Sequence, residues 1–207
     1  MQMKSPVLIV LLLLPAFSCN QLKTAEIKNA DGKLIERYSY VIQDGKELKE
    51  GNYEKYDEQA KLIEAAVYSK GKLNGIRKLY KDGILESEET RVNDAYEGPF
   101  KAYHPNGKLQ IEANYKQDIM TGDVKAYYPN GQLKEIVRFA DNVEDGPFVE
   151  YYENGKLKAE GNYKQSDGAV EDGELKLYDT TGTLIKIMNC ELGKCFTKWA
   201  KDTTAVQ

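Results

Sequence analysis

Histidine, the side chain best suited to acid–base chemistry at neutral pH, is scarce in this chain of 207 residues. His104 is the only histidine, and it begins a turn of sequence His-Pro-Asn-Gly. The copy of this turn 24 residues later begins with Tyr128. Because tyrosine replaces the histidine there, we interpret His104 as an interchangeable turn residue and not as a general base or metal ligand. No serine or cysteine then has a histidine to activate it as a nucleophile.

Carboxylates are abundant and form three clusters, at residues 86–89, 144–145 and 171–172. Two carboxylates act as acid and base on glycosides when a cleft holds them about 5–10 Å apart. The repeats of this sequence predict a single-layer sheet, which offers no such cleft, so we interpret these clusters as a solvated surface. Asp167-Gly168 lacks the ligand spacing of a calcium loop. The sequence therefore predicts no enzyme, no cofactor and no metal site.

The C-terminal cysteines, Cys190 and Cys195, are separated by Glu-Leu-Gly-Lys. Opposed residues across a hairpin have Cβ atoms about 4.5–5.5 Å apart, slightly more than a disulfide needs. The alternative, half of a zinc site, lacks the second cysteine pair or histidine cluster that would complete four ligands. We predict a disulfide between Cys190 and Cys195, which leaves Cys19 as the odd cysteine.

The N-terminus has the layout of a secretory signal peptide. Lys4 precedes eight aliphatic residues, 7–14, a run much shorter than the about 20 residues that span a bilayer. The following segment, which ends Ser-Cys at Cys19, resembles the lipobox of bacterial lipoproteins, although Ala16 stands where leucine is usual. The resemblance implies cleavage after residue 18, lipidation of Cys19 and anchoring in the cell envelope, at the outer membrane. A secreted protein without a lipid is the alternative.

Composition and charge exclude some partners. The formal net charge is −4 and the two signs are evenly mixed, so the basic stripe of a nucleic-acid-binding protein is missing. Polybasic attraction to anionic lipids is missing for the same reason. Fifteen tyrosines and seventeen glycines favour β structure.

A 24-residue period runs through the chain. A leucine two residues after a turn glycine recurs at Leu85, Leu109, Leu133 and Leu157. A tyrosine lies four residues before the turn glycine at Tyr103, Tyr127, Tyr151 and Tyr178. A second glycine closes each unit at Gly75, Gly98, Gly122, Gly146 and Gly173, and Pro-Phe follows it twice. With weaker copies on both sides, about seven units cover residues 27–198.

Each unit has the pattern of a β-hairpin. Phe100 and Ala102 alternate with polar neighbours before the turn, and a second alternating set of apolar residues follows it: Leu109, Ile111, Ala113 and Tyr115. The turn suits a type I turn with glycine in a bulge, and the link between units, such as residues 116–122, is predicted to be a polar turn of similar length. We predict an all-β fold, an elongated single-layer antiparallel meander of about fourteen strands in tandem hairpin repeats.

The predicted organisation has four parts. Residues 1–18 form the signal peptide, 19–26 a short tether, 27–189 the repeat array, and 190–207 a disulfide hairpin cap with the C-terminal tail. We expect Phe196 and Trp199 to belong to the cap, because the end of a repeat array needs covering.

The recurring sequence Tyr-Tyr-x-Asn-Gly-Lys-Leu-Lys-x-Glu-Gly-x-Tyr at residues 151–163 resembles the MORN-repeat variant. The preceding Gly-x-x-x-x-Tyr, at residues 122–127 and 146–151, agrees with it. Bacterial proteins built from this unit are grouped as YwqK-type toxin–antitoxin system antitoxins, and eukaryotic relatives are associated with membrane and partner recognition. The resemblance therefore implies binding, and it brings no catalytic residues.

These features predict a non-enzymatic, lipid-anchored scaffold of the cell envelope that binds an unknown protein partner. The alternatives are an antitoxin or immunity protein that neutralises a toxin acting in the envelope, and a protein that binds envelope glycans. The candidate binding face is the tyrosine row Tyr103, Tyr127, Tyr151 and Tyr178, because tyrosine is enriched at interfaces. Alternatively, these rings fill the gaps between units.

Overall fold

The computed structural model describes residues 21–202, and every regular element in that range is a β-strand. The predicted signal peptide and Cys19 lie outside the described residues, and the first strand begins at Lys23, inside the predicted tether. No helix in the described range could cross a membrane. The strands of residues 21–202 are Lys23–Lys28 (β1), Leu34–Gln43 (β2), Lys46–Tyr56 (β3), Leu62–Ser69 (β4), Lys72–Leu73 (β5), Gly75–Lys81 (β6), Ile84–Val92 (β7), Ala95–Tyr103 (β8), Leu109–Lys116 (β9), Ile119–Met120 (β10), Gly122–Tyr127 (β11), Leu133–Ala140 (β12), Val143–Tyr151 (β13), Leu157–Ser166 (β14), Gly168–Glu171 (β15), Gly173–Tyr178 (β16), Leu184–Glu191 (β17) and Lys194–Ala200 (β18).

These strands form one antiparallel meander. From β1 with β2 to β17 with β18, the strands pair in chain order, with an exception at three short strands. The short strands β5, β10 and β15 pair with the same strand as the element that follows them, so each pair of elements is one interrupted strand. The described range therefore has fifteen strand positions. The prediction of an all-β, single-sheet meander is confirmed.

The turn within most repeats is the predicted type I turn with a glycine bulge, whereas Asp82-Gly83 forms a two-residue turn with φ 52° and 80°. In one unit the His104 N–H donates to the carbonyl of Lys108 and the Gly107 N–H donates to the carbonyl of His104, both at 2.8 Å. Gly107 has φ 78°, the left-handed conformation that closes this turn. The turns that begin at Tyr128 and Tyr152 have the same two hydrogen bonds.

The link between repeats differs from the prediction. In place of a long polar turn, Gln117 and Asp118 form a two-residue turn with φ 49° and 66°, the pattern of type I′. This turn is favoured between antiparallel strands because its twist matches theirs. The remaining residues of the link belong to β10 and β11, and a register shift between them is accommodated at Gly122, with φ 82°. Only the turn itself is therefore shorter than predicted.

One residue is inserted into the strand after each type I turn. Tyr103 pairs with Leu109, but Ala102 pairs with Ile111, so Gln110 is extra. Because paired residues share a face of the sheet, Leu109 lies on the face of Tyr103 and Ile111 on the face of Ala102. The prediction that Leu109 and Ile111 share one apolar face is wrong, because the bulge shifts the alternation by one residue.

The two faces of the sheet have different chemistry. The aromatic face, defined by Tyr53, Phe100 and Phe148 with their cross-strand partners, contains the core. The buried cluster of this face is Val137, Phe148 and Ala159, and the partly buried residues packed on it are Val124, Phe139, Tyr163, Leu175 and Leu177. The charged face is a row of paired residues in which acidic and basic side chains alternate along most of its length: Glu26, Arg37, Glu54, Lys78, Glu88, Lys101, Glu112, Lys125, Glu160 and Lys176.

A disulfide joins Cys190 and Cys195 across the last hairpin, as predicted. The expected aromatic cap is different. Phe196 is 68% exposed and Trp199 is 43% exposed. Neither side chain shields the end of the sheet, which the disulfide-bonded strands β17 and β18 form on their own.

Candidate functional site

Several charges of the charged face are paired within the sheet. Arg37 lies 3.0 Å from Glu26 and 3.2 Å from Glu54, and Lys176 lies 3.1 Å from Glu160. These side chains are largely exposed to solvent, which screens their charges, so each pair contributes little to stability. These pairs keep this part of the face hydrated and matched in charge.

The tyrosines predicted as the binding row lie on this charged face. The hydroxyl of Tyr103 donates to Glu88 at 2.9 Å, and that of Tyr127 donates to Glu112 at 2.7 Å. Burial, followed by the hydrogen bond to Glu112, raises the pKa of Tyr127 to about 12. Tyr178 makes the equivalent bond to Glu160 at 2.9 Å. These half-buried side chains bind the preceding unit, as expected if the rings fill the gaps between units.

Tyr151 is the exception in this row. Ile136 occupies the position that Glu112 and Glu160 take in the neighbouring units, so Tyr151 has no carboxylate partner among the described residues. The four rings of the row make no ring contact with one another in the described part of the chain. The four tyrosines thus lie in a row on the charged face, but their rings do not stack on one another.

We predict that Tyr127→Phe lowers the free energy of unfolding by about 1 kcal/mol, because it removes one hydrogen bond to a carboxylate. Urea denaturation followed by circular dichroism measures this change. Tyr151→Phe is the matched control and should cost only a few tenths of that amount, on the order of 0.3 kcal/mol. Equal losses in the two variants would show that the bond to Glu112 does not stabilise the array.

His104 has the role of a turn residue in the structure. Its Nε2 lies 2.8 Å from the carbonyl oxygen of Tyr127. The hydroxyls of Tyr128 and Tyr152 donate to the corresponding carbonyls, of Tyr151 and Tyr178, at the same distance. Histidine and tyrosine therefore perform the same task, which is to bind the turn edge of one unit to the next.

A cleft of about 520 Å³ lies beside this turn, and Ser87, Glu86 and His104 are among the residues that line it. No hydrogen bond joins His104 to Ser87 within residues 21–202. Within the same range no group of three or more His, Cys, Asp or Glu side chains could hold a metal ion.

The aromatic face contains a second set of rings that the sequence analysis did not single out. Tyr53 and Tyr68 have ring centroids 5.3 Å apart, Phe100 and Tyr115 6.0 Å apart, and Phe148 and Tyr163 4.4 Å apart. Successive pairs are 47 or 48 residues apart, which is two units and not one. The two copies of Gly-Pro-Phe, which begin at Gly98 and Gly146, were the signal for this double period.

The first aromatic cluster, around Tyr53, is occupied by a lysine of the chain. Lys49 Nζ lies 4.1 Å from the Tyr53 ring centroid, 4.9 Å from that of Tyr38 and 5.3 Å from that of Tyr68. The same ammonium group is 2.8 Å from Glu36. Ammonium groups are attracted to the faces of aromatic rings, and a nearby carboxylate strengthens the site.

The second aromatic cluster, around Phe100, is occupied by an arginine. Arg91 Cζ lies 3.3 Å from the centroid of the Tyr96 ring, and the guanidinium is 2.8 Å from Glu89. Glu89 is only 3% exposed and also binds Arg77 at 3.2 Å. In the second cluster the charges are therefore paired within the chain, and the guanidinium of Arg91 lies on the Tyr96 ring.

The third aromatic cluster, around Phe148, has carboxylates but no such cation over its rings. Glu150 and Glu171 line a cleft of about 350 Å³ together with Phe148 and Tyr163. Burial, followed by the charges of Glu150 and Glu144, raises the pKa of Glu135. Burial, followed by nearby carboxylates, also raises the pKa of Tyr163 to about 12. The third cluster is therefore an aromatic cleft with several carboxylates around it, although Lys158 also lines it.

Comparison with known proteins supports a repeat family over the middle of the chain. The family model described as the MORN repeat variant matches residues 96–117, 120–141 and 144–165. No curated protein matches the chain. A crystal structure of a protein with unknown function from Bacteroides fragilis is similar over 80% of this chain and 97% of that chain, at 11% identity. The TM-score of this match is 0.17. The predicted resemblance is thus confirmed for three consecutive units, and residues 96–165 contain three tandem MORN-variant repeats.

Proposed function

We propose that this chain is a non-enzymatic, lipid-anchored repeat protein of the bacterial cell envelope that binds a protein partner through its aromatic face. The contrast between the two faces supports this proposal most strongly. Part of the charged face pairs its own charges, whereas the third aromatic cluster leaves its cleft open to solvent. Aromatic residues in an extended repeat surface are typical of protein-binding sites.

The anchor follows from the lipobox-like segment that ends at Cys19. The first described strand begins at Lys23, only four residues later. A lipid on Cys19 would hold the β1 end of the sheet close to the membrane surface, with the third aromatic cluster several units away from it. Such an arrangement presents the cleft to partners in the envelope.

Site-specific photocrosslinking in the native bacterium tests the binding face. A photoreactive phenylalanine analogue at Tyr163 probes the aromatic face, and the same analogue at Tyr127 probes the charged face. We expect one discrete crosslinked protein from position 163 and none from position 127. Crosslinks from position 127 alone would contradict the assignment of the face, and the lack of any crosslinked protein would contradict the proposal of a protein partner.

Labelling with radioactive palmitate tests the anchor. We expect the wild-type chain to incorporate the label and the Cys19→Ala variant to lose it. Incorporation that persists in the variant would show that Cys19 is not the lipidated residue.

A further inference from the structure

Three clusters of the aromatic face are built on equivalent positions. Each cluster recurs after two repeat units, and its cross-strand pairs have equivalent positions in the sheet. The first set of equivalent pairs is Tyr40–Lys49, Arg91–Tyr96 and Phe139–Glu144. In the next pair along each strand the partners are Tyr38–Tyr53, Glu89–Phe100 and Val137–Phe148. Differences among the clusters can therefore be compared position by position.

The first two clusters show what this site accepts. Lys49 lies over three tyrosine rings and against Glu36, and Arg91 stacks on Tyr96 and against Glu89. In both clusters the occupant is the charged end of a basic side chain, and it combines ring faces with a carboxylate. The chain thus contains two examples in which aromatic rings and a carboxylate bind a basic side chain.

In the third cluster the rings and the carboxylate remain, but residues 21–202 supply no cation over the rings. Glu144 takes the position that Lys49 has in the first cluster. Phe139 takes the position that Arg91 has in the second cluster. Glu135 is equivalent to Glu36 of the first cluster. Glu135, Glu144 and Glu171 form no ion pair with any residue of the described range. Uncompensated carboxylates beside a stacked aromatic pair favour a cation from outside the chain.

Cations near the cleft do not fill it. Lys158 lines the cleft, but it is 2.5 Å from Glu150 and 48% exposed, so it compensates that carboxylate alone. The charges of Lys134 and Lys158 lower the pKa of Glu135, but burial, Glu150 and Glu144 outweigh them. The Phe148 and Tyr163 rings stack on each other and have no cation over them among the described residues.

We propose that the third aromatic cluster is the subsite for a lysine or arginine side chain in a basic segment of the protein partner. This inference rests on the proposed function and specifies the chemistry of its partner. The aromatic floor favours an organic cation over a hard metal ion, which requires a shell of converging oxygen ligands. The opposite charges of the cleft and the segment also favour rapid association at low ionic strength.

The experiment measures binding of fluorescent hexalysine to the full-length protein by anisotropy, with hexa(acetyl-lysine) as the uncharged peptide. We expect hexalysine to bind and the acetylated peptide not to bind. The decisive variant is Glu144→Lys, which places a lysine where the first cluster has Lys49. It should weaken hexalysine binding by about tenfold or more, because the new ammonium group occupies the site.

The matched control is Glu153→Lys, which makes the same change of charge in an exposed turn. It should weaken binding by less than about threefold, since only the long-range potential changes. Equal losses in the two lysine variants would overturn the subsite, because they would reflect net charge alone. Binding of spermidine as tight as that of hexalysine would also overturn it, in favour of a free polyamine.

The two proposals can fail separately. A protein crosslinked from position 163 whose capture is unaffected by Glu144→Lys would leave the proposed function intact and overturn the basic subsite. Hexalysine binding that depends on Glu144, with no crosslinked protein in the native bacterium, would support the subsite and contradict the protein partner.

Discussion

Replacing Phe148 with alanine should lower the free energy of unfolding by about 3 kcal/mol, the largest loss we expect from any apolar substitution in this chain. Phe148 is 3% exposed and belongs to the buried cluster with Val137 and Ala159. Its ring stacks on Tyr163 with centroids 4.4 Å apart. Gly161, directly opposite, makes room for this packing, since a Cβ there would lie 2.9 Å from the ring.

Phe100→Ala is the control for this prediction. Phe100 holds the equivalent position two units earlier, but Ala113 stands opposite it and its ring is 6.0 Å from that of Tyr115. Because this ring is only partly buried, we expect a loss of about 1.5 kcal/mol. Urea denaturation of both variants measures the difference. A loss for Phe148→Ala no greater than that for Phe100→Ala would show that the buried cluster does not dominate stability.

The second large effect concerns the buried carboxylate of Glu89. We expect Glu89→Gln to lower the free energy of unfolding at pH 7 by about 3 kcal/mol, because it leaves two partly buried guanidinium groups without their shared counterion. These groups belong to Arg77, at 3.2 Å, and Arg91, at 2.8 Å. Glu26→Gln, which removes an exposed partner of Arg37, is the control and should have a much smaller effect.

The same carboxylate predicts a pH dependence. Burial raises the pKa of Glu89, but hydrogen bonds from Arg91, Arg77 and Tyr96 outweigh it, so the pKa lies below the ordinary 4.5. The stabilisation by this group is therefore complete above the unfolded pKa and is lost as the pH falls through the lower folded pKa. The gap in stability between wild type and Glu89→Gln should narrow below pH 4.5 in acid titrations monitored by circular dichroism. A constant gap down to pH 3 would contradict the ionised network.

The sequence pattern was sufficient to predict the repeating hairpin, its type I turn and the disulfide, because each depends on residues close in the chain. The two-residue links were harder to predict. Gln117-Asp118 lacks the glycine that usually marks a type I′ turn, and both residues adopt positive φ because the paired strands require it. The inserted residue Gln110 is also invisible to a simple alternation of apolar and polar positions.

The candidate site, like the fold, was only partly predictable from the sequence. The tyrosine row was recognised from its 24-residue period, but its bonds to Glu88, Glu112 and Glu160 depend on strand pairing. The three aromatic clusters repeat every two units, so an alignment of single units does not show them. Their charges differ at Lys49 and Glu144, and only the register shows that these residues occupy equivalent positions.

The pairing of each strand with its neighbours in chain order has a consequence for how such a chain can change in length. Two consecutive repeats could be duplicated or deleted, with the adjoining hairpins meeting in the same register, and the number of aromatic clusters would change by one. Related chains could therefore differ in reach and in the number of side chains they accept, while each cluster keeps its geometry.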